Sequence, residues 1–102
     1  MTVTAFLAVS PTVEGSMAPE IAKAVEALES FDVAYETTPM GTILEAEAVS
    51  EIFAAAQAAH EAVDSDRVGT FLKIDDKRTT DDPAAAKVDA VEDHLGREAT
   101  SR

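Results

Sequence analysis

The sequence predicts an α+β fold, a ferredoxin-like βαββαβ sandwich. A four-stranded antiparallel sheet carries two helices on one face, and a C-terminal helix follows. Three observations lead there. Four segments alternate apolar and polar side chains with the period of a strand, at 3–9, 32–38, 42–45 and 67–75. Between them lie stretches with helical spacing. The second and third strands are joined only through Pro39-Met40-Gly41, so they must be antiparallel neighbours.

In the first strand Val3, Ala5, Leu7 and Val9 share one face, with Thr4, Phe6, Ala8 and Ser10 on the other. Ser10-Pro11-Thr12 ends it. Ser16 is the predicted N-cap of the first helix, and Pro19 is tolerated in its first turn. Met17, Ile21, Ala24 or Val25, and Leu28 form its apolar stripe, which reads as core. The second strand sets Val33, Tyr35 and Thr37 opposite Ala34, Glu36 and Thr38. Pro39 lacks a backbone donor and Gly41 permits positive φ, so the chain turns there.

The second helix runs from about Val49 to Val63. Its predicted stripe is Val49, Ile52, Phe53, Ala56, His60 and Val63, with His60 a hydrogen-bonded packing residue. The fourth strand puts Val68, Thr70, Leu72 and Ile74 opposite Gly69, Phe71 and Lys73. The run 75–81 reads as a solvated loop. Asp82 is the predicted N-cap of a third helix, with Pro83 next, a stripe of Ala84, Val88, Val91 and Leu95, and a stop at Gly96. This helix reads as an addition to the sandwich.

A length of 102 residues supports one domain, here 1–96, with 97–102 a disordered tail. No apolar run approaches the roughly 20 residues of a membrane span. The N-terminus lacks the pattern of a leader, so a cytoplasmic protein is predicted. Cysteine is absent, which removes disulfides, thiolate metal sites and cysteine nucleophiles. With His60 and His94 the only histidines, no metal site is predicted. The net charge of −12 opposes nucleic acid and anionic membranes as partners. Acids spread along the whole chain read as general solvation. The four glycines are too dispersed for a phosphate loop. No serine-histidine-acid grouping stands out, so no enzyme and no cofactor is predicted.

Tyr35 to Glu47 concentrates polar side chains, a glycine and the acids Glu36 and Glu45 around one turn. A small-molecule site is expected partly there. Pro39-Met40-Gly41-Thr42 with Leu44-Glu45, then Ala59-His60-Glu61-Ala62, then Arg67-Val68 and 72–78 resemble the small thiamine-binding protein family, also described as MTH1187/YkoF-like. The match runs from the first strand to about Arg78. It departs at Ala46, where that family usually has glycine.

The resemblance implies a ferredoxin-like subunit that forms dimers and often tetramers. It also implies binding of thiamine or its hydroxymethylpyrimidine part without chemistry, in a carrier or sensor role. A carboxylate can attract the thiazolium or bond the pyrimidine, hydroxyls can read the ring edge, and apolar walls can shield its faces. The candidate ligand-binding residues are Ser10, Thr12, Glu36, Thr38, Thr42 and Glu45. Thr42 and Glu45 lie in the matched segment; the others rest on predicted proximity. Thr38 and Thr42 also suit strands, and Glu45 also suits a cap on the following helix.

The alternative function is a structural or regulatory homo-oligomer without a ligand. Phe6, Ala8 and Phe71 fall on the sheet face away from the two main helices. Either a second subunit or the third helix is expected to cover them.

Overall fold

A computed structural model describes residues 2–101. Alternation dictates the sheet. Strand β1 (Thr2–Pro11) buries Val3, Ala5 and Leu7 and turns Thr4 and Phe6 to the opposite face. Strands β2 (Ala34–Thr38), β3 (Gly41–Ala46) and β4 (Val68–Lys77) complete an antiparallel sheet in the order β2-β3-β1-β4. This is the predicted α+β architecture.

Helices α1 (Ala18–Ala27) and α2 (Val49–Ala62) pack against the inner face, formed by Val3, Ala5, Leu7, Leu44 and Ala46. A short 3-10 turn, Leu28–Ser30, extends α1 and buries Leu28. Val3, Leu28, Leu44 and Ile52 are the largest fully buried side chains. Each is worth about 1.5–3 kcal/mol of transfer free energy.

Several expectations require correction. The loop expected from 75 begins only after Lys77, because Asp75, Asp76 and Lys77 stay paired with Thr4, Val3 and Thr2. The ladder along the full length of β1 outweighs their polarity. The buried stripe of α2 is Ile52, Ala55, Ala56, Ala59 and Val63. Val49, Phe53 and His60 lie outside it. Small alanines let the helix backbone approach the sheet and α1, so the alanine face turns inward. His60 is exposed and shares a hydrogen bond with Thr70 Oγ1. Gly41 does not adopt positive φ; Gly15 and Gly96 do. What Gly41 supplies is space, since a Cβ there would stand 2.5 Å from the tip of the Phe6 ring and 2.9 Å from the Leu7 carbonyl oxygen.

Helix α3 (Ala85–Leu95) ends at Gly96, whose N–H bonds back to the Glu92 carbonyl as expected. Its start differs. Asp82 does not cap it; the Asp82 N–H donates to Thr80 Oγ1, and the Ala84 N–H is received by the Glu45 carboxylate. Lys87 pairs with Asp75 on β4. Polar contacts thus hold α3 near the open sheet face, while Val88, Val91 and Leu95 remain exposed. At α1 the cap position falls on Met17, not on the predicted Ser16, although the Ser16 hydroxyl accepts the Ala18 N–H at 3.1 Å. The tail expectation includes Arg102, outside the described residues. Residues 97–101 form neither helix nor strand, and the Ala99 N–H donates to Glu92.

Candidate functional site

The β2–β3 hairpin and the start of α1 diverge at one end of the sandwich and leave a cleft of about 180 Å³. Its walls are Leu7, Val9, Met17, Ile21, Val25 and Leu28. Ser10, Thr37, Thr38, Pro39, Met40, Gly41 and Thr42 lie among them, and Ala8, Ala24 and Ala59 complete the lining. None of the described residues lining it is ionisable.

Register explains the hydroxyls. Thr37 lies directly opposite Thr42 across the hairpin, on the inner face with Leu44. Their hydroxyls stand 3.5 Å apart. Thr42 is 6% exposed, a buried polar side chain beside an apolar core. A shared hydroxyl pair can donate one hydrogen bond outward and accept others. Thr38 has a different task. Its hydroxyl donates to the Gly41 carbonyl at 2.7 Å and accepts the N–H groups of Met40 and Gly41 at 3.3 Å. It clasps the turn that carries Met40 and Thr42.

The six predicted residues do not converge. Ser10, Thr38 and Thr42 line the cleft. Thr12 lies beyond β1, where its backbone joins the connection before β4: its N–H reaches Arg67 O and Ser65 Oγ, and its carbonyl receives Ser65 Oγ. Glu36 and Glu45 project from the open face, paired in register with Ile43 and with Thr4 and Ala34. Thr37, Met17, Ile21 and Met40 were not among the candidates, although all line the cleft. The signal for Thr37 was the tight turn, which sets it across from Thr42. Met17 and Ile21 read as core because a stripe does not reveal where its partner face stops.

Outside the cleft, Glu20 joins α1 to the segment after α2. Its carboxylate receives Lys23 Nζ at 2.8 Å and the Asp64 N–H at 2.7 Å. The Lys23 hydrogen bond first, and that backbone bond second, hold the Glu20 carboxyl below its ordinary pKa. The Tyr35 hydroxyl donates to Glu29 at 2.7 Å, and that bond raises the phenol above its ordinary pKa. No group of three or more histidine, cysteine, aspartate or glutamate side chains among the described residues converges as a metal site. Among them, too, no helix is long and apolar enough to cross a membrane.

The family model described as thiamine-binding protein matches residues 5–92. It therefore extends past Arg78 through most of α3, the helix added to the βαββαβ sandwich. A UPF0045 protein of Methanothermobacter thermautotrophicus is 47% identical over 98 residues, covering 91% of this chain and 99% of its own. The crystal structure of the MJ1052 protein of Methanocaldococcus jannaschii superposes with a TM-score of 0.81 at 34% identity, covering 88% of this chain and 95% of its own. A Thermotoga maritima structure, proposed as a thiamine biosynthesis or salvage protein, gives a TM-score of 0.75 at 26% identity, over 89% and 99%.

Proposed function

The chain belongs to the thiamine-binding protein family, and from that premise we propose that its cleft binds the pyrimidine part of thiamine or free hydroxymethylpyrimidine, without chemistry, as a carrier or sensor. The observation that carries the reading is the Thr37–Thr42 hydroxyl pair at an apolar, uncharged cleft. A flat heteroaromatic ring needs apolar walls and a few edge contacts. Sites for drug-sized ligands occupy roughly 300–1,000 Å³, so about 180 Å³ suits one ring. The thiazolium then stays at the mouth, where a protein of net charge −12 favours a cation.

Calorimetric titration with hydroxymethylpyrimidine, thiamine and thiamine diphosphate tests this. Comparable affinity for the first two supports the reading. Binding of none of them sinks it.

A homo-oligomeric role, dimer or tetramer, is favoured by a separate observation. Phe6 and Phe71 meet edge to face at 6.0 Å on the open sheet face, where Phe71 is 58% exposed. Such a surface gains by association.

A further inference from the structure

Two exposed methionines border the cleft. Met17 precedes α1 and is 46% exposed; Met40 forms the tip of the β2–β3 turn and is 81% exposed. Both also line the cleft. Side chains that line a cleft and are also open to solvent stand at its mouth. They approach from different elements, one from the helix layer and one from the hairpin. Neither contributes to the buried core. Methionine is unbranched and polarisable, so it can reshape itself around a ring and touch an aromatic edge at little cost.

The backbone under each residue is held. The Met17 carbonyl accepts the N–H groups of Glu20 and Ile21, both at 3.0 Å. The Met40 N–H is bound by Thr38 Oγ1 at 3.3 Å. A fixed backbone under an exposed, unbranched thioether side chain is the arrangement of a side-chain gate.

We propose that Met17 and Met40 form a closing apolar rim that folds over a flat heteroaromatic ring bound in the cleft. This rests on the pyrimidine reading of the same cleft. Closure exchanges the solvent around two thioethers for ring contacts. It therefore stabilises the complex and leaves the stability of the free protein unchanged.

The full chain and its Met17→Ala, Met40→Ala, Met17→Leu and Met40→Leu variants are titrated with hydroxymethylpyrimidine by calorimetry, with thermal unfolding measured in parallel. Each alanine variant is expected to bind about tenfold more weakly, which corresponds to about 1.4 kcal/mol. Its unfolding midpoint without ligand stays at the wild-type value. The leucine variants recover most of the affinity.

A chemical arm is independent of mutation. Hydrogen peroxide transfers one oxygen atom to a thioether; the O–O bond breaks, the sulfur lone pair forms the new bond, and water leaves. The chain has no cysteine to compete. Peroxide should weaken binding by the wild type and spare a Met17→Leu, Met40→Leu double variant. If wild type binds the pyrimidine and the alanine variants bind equally well, the gate is overturned while the site stands. If the alanine variants lose thermal stability in proportion to affinity, the residues are structural and the gate is overturned. If wild type binds no pyrimidine, the site reading fails and the gate falls with it.

Discussion

The carboxylate of Glu45, in the middle of the sheet, receives the backbone N–H of Ala84 at the entry to α3. Thirty-nine positions of chain separate the two. A strand acid thus occupies the place that a local cap would take, and an orphan helical donor is satisfied from another element. Glu45 faces away from the cleft, since its neighbours Leu44 and Ala46 are the inward ones. It joins the entry of the last helix to the sheet.

Glu45→Gln should therefore loosen α3 and spare the cleft. A neutral amide oxygen still accepts a hydrogen bond but loses the charge, a change of about 1 kcal/mol. Hydrogen exchange should quicken at Ala84 and along α3, with affinity for hydroxymethylpyrimidine unchanged. Loss of ligand binding with α3 protection intact would move the binding site to the open face.

Gly41→Ala should destabilise the fold. The new methyl meets the Phe6 ring, which can shift, and the Leu7 carbonyl, which cannot without disturbing the β1–β3 ladder. A cost of about 1–3 kcal/mol follows from overpacking. Adding Phe6→Leu should recover part of it, because the ring is one of the two obstacles. Full recovery would show that the carbonyl contact contributes nothing.

These two residues illustrate what the amino-acid pattern conveys. The antiparallel pairing of β2 with β3 followed from alternation and from one short turn, because a turn of that length permits a single pairing. Phe6 and Phe71 fell on a common face for the same reason. Gly41 was legible as a glycine position, but its cause was not: a positive φ and a close approach look identical in sequence. The cleft hydroxyls were half legible. Thr42 lies within a recognisable segment, whereas Thr37 becomes relevant only through register. Glu45 was singled out, yet its partner lies beyond α2, β4 and a loop, a distance that no local periodicity reports.

Thr42→Val should separate binding from folding. Valine keeps the shape of threonine and removes the hydroxyl. Thr37 sits on the exposed edge strand, so losing its partner leaves no buried donor unsatisfied. Stability should change by about 1 kcal/mol or less. Affinity for hydroxymethylpyrimidine should fall about tenfold or more if this hydroxyl reads the ring edge. Equal affinity would remove the pair from the recognition scheme.

Acidification should release α3 at its second tether. Asp75 is held below the ordinary aspartate pKa, first by the hydrogen bond from Lys87 and then by that residue's charge, with Lys73 and Lys77 adding to it. A carboxyl with a depressed folded-state pKa stabilises the fold above its unfolded pKa. That contribution is lost as pH falls through the lower, folded value. NMR titration of Asp75 should give a midpoint below the usual value of about 3.9, and Lys87→Met should raise it toward that value, with Lys73 and Lys77 still holding it down. A midpoint already at the ordinary value in the wild type would mean that the Asp75–Lys87 pair is not formed in solution.

The open face predicts self-association. Phe6 and Phe71 bring two rings together on a sheet surface, and the helix nearest to it is tethered by polar groups at its first turn. Burying one phenylalanine is worth about 1.5–3 kcal/mol. Subunits of net charge −12 repel, and salt shortens the reach of that repulsion to about 3 Å at 1 M. Light scattering should therefore report a dimer or tetramer whose population grows with salt. A chain ending at Asp81 should associate more strongly if α3 shields part of the face, and less if the exposed Val88, Val91 and Leu95 themselves form the contact. Phe71→Lys should dissociate either assembly by placing a buried charge at its centre. A monodisperse monomer at micromolar concentration in molar salt would show that Phe71 is simply tolerated in solvent.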